Sequence, residues 1–184
     1  MGLFGSIDES IQAKTAKAIS FFGKKIDVCD SFELMRYPLK NVDFYIGITQ
    51  IRGLDDYTLF FTTNNDSGQL FVFLTDADRN EAIGFLAHLA LGAENGKHYM
   101  VEEVITVGNE YLRKNEFSGL VFLDPEDMEI FGGLQYVSEI DGVNCKILSF
   151  LLLKEYEMAA YKAHGFDAVI QFLSSEERDF LSIK

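Results

Sequence analysis

The sequence predicts an α+β domain: a mainly antiparallel or mixed β-sheet flanked by helices. Three observations carry that prediction. β-prone runs gather in two blocks, residues 42–75 and 99–153, separated by one helical segment instead of alternating singly with helices. Turn signals join runs within each block, Asn64-Asn65-Asp66-Ser67-Gly68 in the first and Asp141-Gly142 in the second. Helical patterns are confined to the start, the middle and the end. With 184 residues, 48% hydrophobic and 14% aromatic, the chain can bury a sizeable core. Only 2 prolines, no Pro/Gly/Ser-rich tract and no internal repeat offer a boundary, so residues 1–184 are expected to form one domain.

The first element is expected over residues 6–23. Ser6-Ile7-Asp8-Glu9 is a capping box, Ile7, Ile11, Ala18 and Phe22 make one apolar stripe, and Gly23 marks the stop. Lys14 and Lys17 lie off the stripe, and two cations are few for a membrane-surface helix, so packing on the domain is expected. Gly2 and Ser6 also fit the loose myristoylation pattern, although the cap accounts for Ser6 more simply. After a short connection through Val28 and Met35, Val42, Phe44, Ile46 and Ile48 alternate with Asp43, Tyr45, Gly47 and Thr49, the period of a half-buried strand. Residues 57–62 and 70–75 then read as a hairpin.

Asp78 can cap a helix whose Ala82, Ile83, Leu86, Leu89 and Ala90 face the core and which should end near Gly92. A strand is expected over 99–107, a turn at Gly108-Asn109, and a buried strand over 117–123 that Asp124-Pro125 cannot prolong. Residues 136–140 and 143–153 form the second hairpin. The apolar run from Cys145 to Leu153 is too short to span a membrane and reads as a central strand. A helix over 154–163, a stop at Gly165, and a second helix carrying Phe166, Val169, Ile170 and Leu173 close the chain.

Charge narrows the partners. The net charge is −13, with 8 basic against 12 acidic side chains in residues 1–92 and 8 against 17 in residues 93–184. Such an excess disfavours nucleic acid and anionic lipid. Cys29 and Cys145 stand far apart in apolar contexts with no visible secretory signal, which suits reduced core residues and a cytoplasmic location. No catalytic, metal or cofactor motif is present. His88 reads as a half-buried packing residue, and His164 suits the carbonyl end of a helix. Gly132-Gly133 lacks the lysine of a phosphate loop, and there is no nucleophile elbow or cysteine cluster. One acidic cluster remains: Asp124, Glu126, Asp127 and Glu129, set by Pro125 in a loop or a one-turn helix. It is either a solvated helix start, where acids meet the dipole, or part of a surface for a basic partner.

The stretch CKILSFLLLKEYEMAAYKAHGFDAVIQFL resembles the close of the Suppressor of fused domain family: an apolar strand at 147–153, Glu157, the pair His164-Gly165, and a short apolar helix at 168–173. Lys154 stands where the family usually has proline. The strand DFYIGI and the block VITVGNEYLRKNEFSGLVFLDPEDM are similar in order of elements, so the resemblance covers residues 40–184. It implies a non-enzymatic protein-binding domain. The family's eukaryotic member restrains a transcription factor by binding it, and small stand-alone bacterial members are associated with immunity to polymorphic toxins. On that reading the partner is a protein, such as a basic toxin domain held through the acidic surface. Two other classes stay open: a small-molecule enzyme assembled from His98, Glu102 and Tyr111, and a peripheral membrane or scaffold protein using the N-terminal helix. Nothing in the sequence fixes an oligomeric state.

Overall fold

The computed structural model describes residues 9–63, 67–128, 131, 134, 137–140, 143–175 and 179–183. Helix α1 (Glu9–Lys25) runs two residues past Gly23, and the Ser6 cap, Ile7 and Gly2 lie outside the described residues. Ala18 and Phe22 are buried, as the stripe requires, while Lys14 and Lys17 are exposed. The Thr15 hydroxyl lies 3.3 Å from that of Thr63, which donates in turn to the Tyr45 carbonyl at 2.7 Å. The helix is thus fixed to the sheet by polar as well as apolar contacts.

The connection expected before the first strand contains a strand of its own. β1 (Glu33–Leu39) pairs antiparallel with β2 (Val42–Thr49) across Lys40 and Asn41, both at positive φ (49° and 68°). That pair of angles defines the tight turn whose twist suits a hairpin. β2 is not half-buried: from Phe44 onward both of its faces are covered. β3 (Thr58–Thr62) and β4 (Gln69–Thr75) form the expected hairpin, with Phe60 opposite Phe73, and residues 64–66 of its turn lie outside the described residues.

Helix α2 (Arg79–Glu94) starts at the Asp78 cap, whose carboxylate accepts from the Asn80 N–H at 2.9 Å and the Glu81 N–H at 3.3 Å. It passes Gly92 and is buried nearly all round, so its one-sided expectation is corrected. It lies across the sheet, touching β1, β2, β3 and β4. The strand expected over 99–107 shrinks to β5 (Val104–Thr106). Glu102 adopts φ +67° and turns the chain there, yet its N–H still reaches the Phe122 carbonyl at 2.8 Å. The Gly108-Asn109 turn is the start of a helix, α3 (Glu110–Lys114), with the Asn109 side chain accepting from the Leu112 N–H at 3.1 Å.

β6 (Phe117–Leu123) fits its expectation, and Pro125–Asp127 forms a single 3₁₀ turn after it. β7 (Val137–Ile140) and β8 (Val143–Lys154) pair from Ile140↔Val143, which leaves residues 141 and 142, themselves outside the described residues, as the connection. α4 (Glu155–His164) ends at Gly165, whose φ of +83° only glycine adopts easily, and α5 (Phe166–Ser175) follows.

Among the described residues eight strands run β1-β2-β3-β4-β8-β6-β5, with β7 paired to β8 off that path. Among the described strands every pairing is antiparallel except β4 with β8. β8 therefore lies inside the sheet as expected. It is joined to β4 over Gln69–Phe71 alone and takes β7 and then β6 in succession on its other edge. One face of the sheet packs on α2 through Phe60, Phe73, Phe122 and Phe150. The opposite face is divided. Phe22 and Ile26 of α1 cover Leu59, Phe61 and Val72, whereas Met158 of α4 and Val169 of α5 cover Val121, Leu123 and Leu153. Alternation along each strand sends neighbours to opposite faces, so one strand feeds both cores.

Candidate functional site: an anchored acidic turn

The acidic cluster is built on a fixed base. Pro125 is buried, and Asp124 caps the turn by accepting from the Glu126 N–H at 3.1 Å. The Asp127 N–H then donates to the Asp124 carbonyl at 3.0 Å and the Met128 N–H to that of Pro125 at 3.2 Å. Two more backbone bonds of 2.7 Å, Phe131 to Met128 and Leu134 to Phe131, lead the chain back into the core, where Phe131 and Leu134 are fully buried. Asp124 is consequently half-buried and occupied as a cap, while Glu126 and Asp127 are exposed. Glu129 lies outside the described residues. The one-turn geometry matches its expectation: Asp124 caps the turn, and Glu126 and Asp127 face outward.

The residues of the enzyme reading are not brought together. Tyr111 accepts at its hydroxyl from the Asp78 N–H at 3.2 Å, which places it at the beginning of α2. His98 follows the far end of that 16-residue helix, roughly 20 Å away at about 1.5 Å per residue. Glu102 is exposed on the turn against Phe122. His88 is exposed and not half-buried, with Nδ1 2.7 Å from the Gly84 carbonyl, and His164 is exposed in the last turn of α4. Among the described residues no group of three or more His, Cys, Asp and Glu could hold a metal ion. Nor is any described helix long and apolar enough to cross a membrane.

Two open cavities flank the sheet. One, about 430 Å³, lies by Cys29, Phe32, Glu33, Thr49 and Arg79; the Glu33–Arg79 ion pair stands at its rim and lowers the Glu33 carboxyl. The other, about 450 Å³, lies between Lys114, Glu116, Phe117, Lys154 and the C-terminal residues Asp179, Ser182 and Ile183. Lys154 binds Glu116 at 3.0 Å in its wall. The two thiols differ: Cys145 is buried, which pushes it up to about 12, whereas Cys29 is half-buried, against expectation.

Sequence reasoning missed one constellation. Tyr57 donates to Asp179, and that hydrogen bond, followed by burial and the nearby Asp76 and Asp56, raises its hydroxyl to about 12. Asp179 and Tyr57 stand 122 residues apart, and no local spacing signals the pair.

No family model matches the sequence, and no curated protein matches it. Solved structures do. A protein of Neisseria gonorrhoeae described as a SUFU (suppressor of fused protein) homologue superposes with a TM-score of 0.71 at 15% identity, covering 94% of this chain and 95% of that one. A chain of the Sufu–Fu complex gives 0.47 at 9% identity, with 90% and 79% covered, and Drosophila Suppressor of Fused gives 0.45 at 10%, with 94% and 48% covered. The chain has a SUFU-like fold, as the resemblance of its closing stretch implies.

Proposed function

We propose that this protein is a non-enzymatic protein-binding domain, an immunity protein that neutralises a cognate polymorphic toxin in the cytoplasm of the producing cell. The observation that carries the reading is the acidic turn: Glu126 and Asp127 are held outward on a base pinned by Pro125, Phe131 and Leu134, in a chain of net charge −13. A preformed acidic protrusion loses little conformational freedom on docking, and complementary charge accelerates encounter with a basic surface. The SUFU-like fold supports the class of partner, and the scattered positions of His98, Glu102 and Tyr111 speak against an assembled catalytic site. The membrane alternative loses support because two of the four stripe residues, Ala18 and Phe22, are buried, Phe22 against Leu59, Phe61 and Val72.

Sequencing the neighbouring genes and co-expressing this chain with any toxin domain encoded there tests the proposal. Growth should be restored, and a complex should survive at moderate salt. A toxin that kills equally with and without this chain, and leaves no complex, ends the immunity reading. Reversing Asp124, Glu126, Asp127 and Glu129 to lysine should slow association at low salt and flatten its salt dependence.

A further inference from the structure

The sheet has a seam. Among the described residues the ladder between the half holding β1–β4 and the half holding β5–β8 is the short pairing of Gln69–Phe71 with Lys146–Leu148, extended by the Lys146 N–H donating to the Gly68 carbonyl at 2.8 Å. On the α2 side rings bridge the seam: Phe73 stacks on Phe150 at 4.6 Å between centroids, and Phe71 lies 6.1 Å from Phe122. The opposite side is divided. Leu59, Phe61 and Val72 cluster under α1, and Val121, Leu123 and Leu153 form a separate cluster under α4 and α5.

Residues 179–183 cross that seam as a hydrogen-bonded turn. The Leu181 N–H donates to Asp179 Oδ1 at 2.9 Å, and the Ser182 N–H to the Asp179 carbonyl at 3.3 Å. The turn is tied to the first half of the sheet. Tyr57 donates its O–H to the Asp179 carboxylate, Asp76 takes the Ser182 hydroxyl and the Ile183 N–H at 2.7 Å each, and the Asp76 N–H donates to the Leu181 carbonyl at 3.4 Å. Its side chains then go to three different cores: Leu181 packs on the α1 cluster, Phe180 on the α4–α5 cluster, and Ile183, 3% exposed, belongs to the α2-side core. The acidic turn straddles the same seam. It starts from β6, its Met128 packs on both clusters of the divided side, and Phe131 and Leu134 root it in the α1 cluster.

We infer that residues 179–183 are a latch that holds the two halves of the sheet in one arrangement, and that its release opens the divided side along the β4–β8 seam, with the stacked rings of the α2 side as the pivot. The latch joins residues 106 and 122 positions apart, so neither half can supply it from its own ladder. Cutting the chain before Asp179 is therefore an unlatching step that spares the pairings within each half. The base of the acidic turn loosens with the seam, because it is rooted on both sides of it. The inference concerns the frame and holds whatever the acidic turn binds.

Cys145 reports on the seam, since it is buried in the α1 cluster one residue before the Lys146 pairing. In the full chain carrying Cys29→Ser, so that Cys145 alone can react, a thiol reagent should label the Asp76→Ala variant faster than its loss of global stability accounts for, by about ten-fold or more, because the seam opens locally. Ser182→Ala takes the place of Asp76→Ala should that variant not fold. Ile46→Val, which weakens the α2-side core from within β2, should speed labelling only by the factor that its urea midpoint predicts. Labelling of the latch variant that merely follows its global stability makes the turn one more stabilising contact and overturns the inference. The same excess in Ile46→Val overturns it as well, because the seam would then open without release of the latch.

Discussion

Two glycines show how closely single residues set the packing. A Cβ on Gly47 would stand 2.3 Å from the ring of Phe61, which packs at 4.3 Å between centroids on Phe22 of α1. A Cβ on Gly119 would meet Met158 Sδ at 2.1 Å and the Ile105 carbonyl at 2.9 Å. The first glycine lets an aromatic ring lie flat on a strand, and the second lets α4 approach β6. Gly47→Ala should therefore destabilise the fold by about 1–3 kcal/mol, the range for overpacking, whereas Gly108→Ala, with no atom within 4 Å of its Cβ, should leave the urea midpoint unchanged. Titration gives a second residue-scale prediction. Tyr57 rises from 10.0 to about 12 through its bond to Asp179, and Cys145 from 9.0 to about 12 through burial. In both, folding favours the protonated form. Their contribution is therefore full below the unfolded values of 9.0 and 10.0, and it fades as pH climbs towards 12. The urea midpoint should fall steadily above about pH 9. Tyr57→Phe should flatten the part of that fall above pH 10, and an unchanged slope would remove Tyr57 from the account.

At the level of elements, what the sequence disclosed depended on whether a local signal and the tertiary setting agreed. β6, the second hairpin and the Gly165 stop were legible because Pro125, Asp141-Gly142 and a left-handed glycine each act within a few residues. β1 was not, although Met35, Tyr37 and Leu39 alternate with Arg36 and Pro38, since a proline within a run argues against a strand. Its position explains them. With a two-residue connection the closing pair Leu39↔Val42 exchanges hydrogen bonds, so every second residue, Pro38, Arg36 and Leu34, turns its backbone outward. Pro38, lacking an N–H, stands where a free edge would offer a third donor. Edge strands are guarded in this way against pairing with other chains. Pro38→Val should keep the fold yet promote concentration-dependent association, strongest at salt high enough to screen the net charge; light scattering equal to that of the native chain would deny Pro38 this role. The strand expected over 99–107 failed for the opposite reason, because Glu102 at φ +67° interrupts a run whose composition is strand-like throughout.

For the whole molecule, the architecture divides labour between two faces of one sheet. Aromatic residues on the α2 side form a single core, while α1 and the α4–α5 pair cover adjoining parts of the other side. The edges and turns around this frame are left to charge. The acidic turn was legible because its three described carboxylates are consecutive or nearly so, whereas the Tyr57–Asp76–Asp179 cluster was not, because the topology alone gathers it. Net charge then acts on the molecule as a unit. Its ion pairs, such as Arg36–Asp43 at 2.7 Å, Arg52–Asp27 at 3.2 Å and Lys114–Glu110 at 3.0 Å, join largely exposed side chains. Exposed pairs contribute about 0–1 kcal/mol each, and salt weakens them. Self-repulsion among 29 acidic against 16 basic side chains is spread over the whole surface and is weakened by the same salt, with a Debye length of about 10 Å at 0.1 M falling to about 3 Å at 1 M. The two effects have opposite signs, and the charge imbalance makes repulsion the larger. Stability at pH 7 should consequently rise as NaCl increases from 0.02 to about 0.5 M, read as a higher urea midpoint at constant slope. The gain should shrink as pH approaches the isoelectric point near 4.5, where the imbalance disappears. A midpoint that falls with salt at pH 7 would mean that the ion pairs outweigh the repulsion and that the acidic excess is locally compensated, leaving less field to steer a basic partner to Glu126 and Asp127.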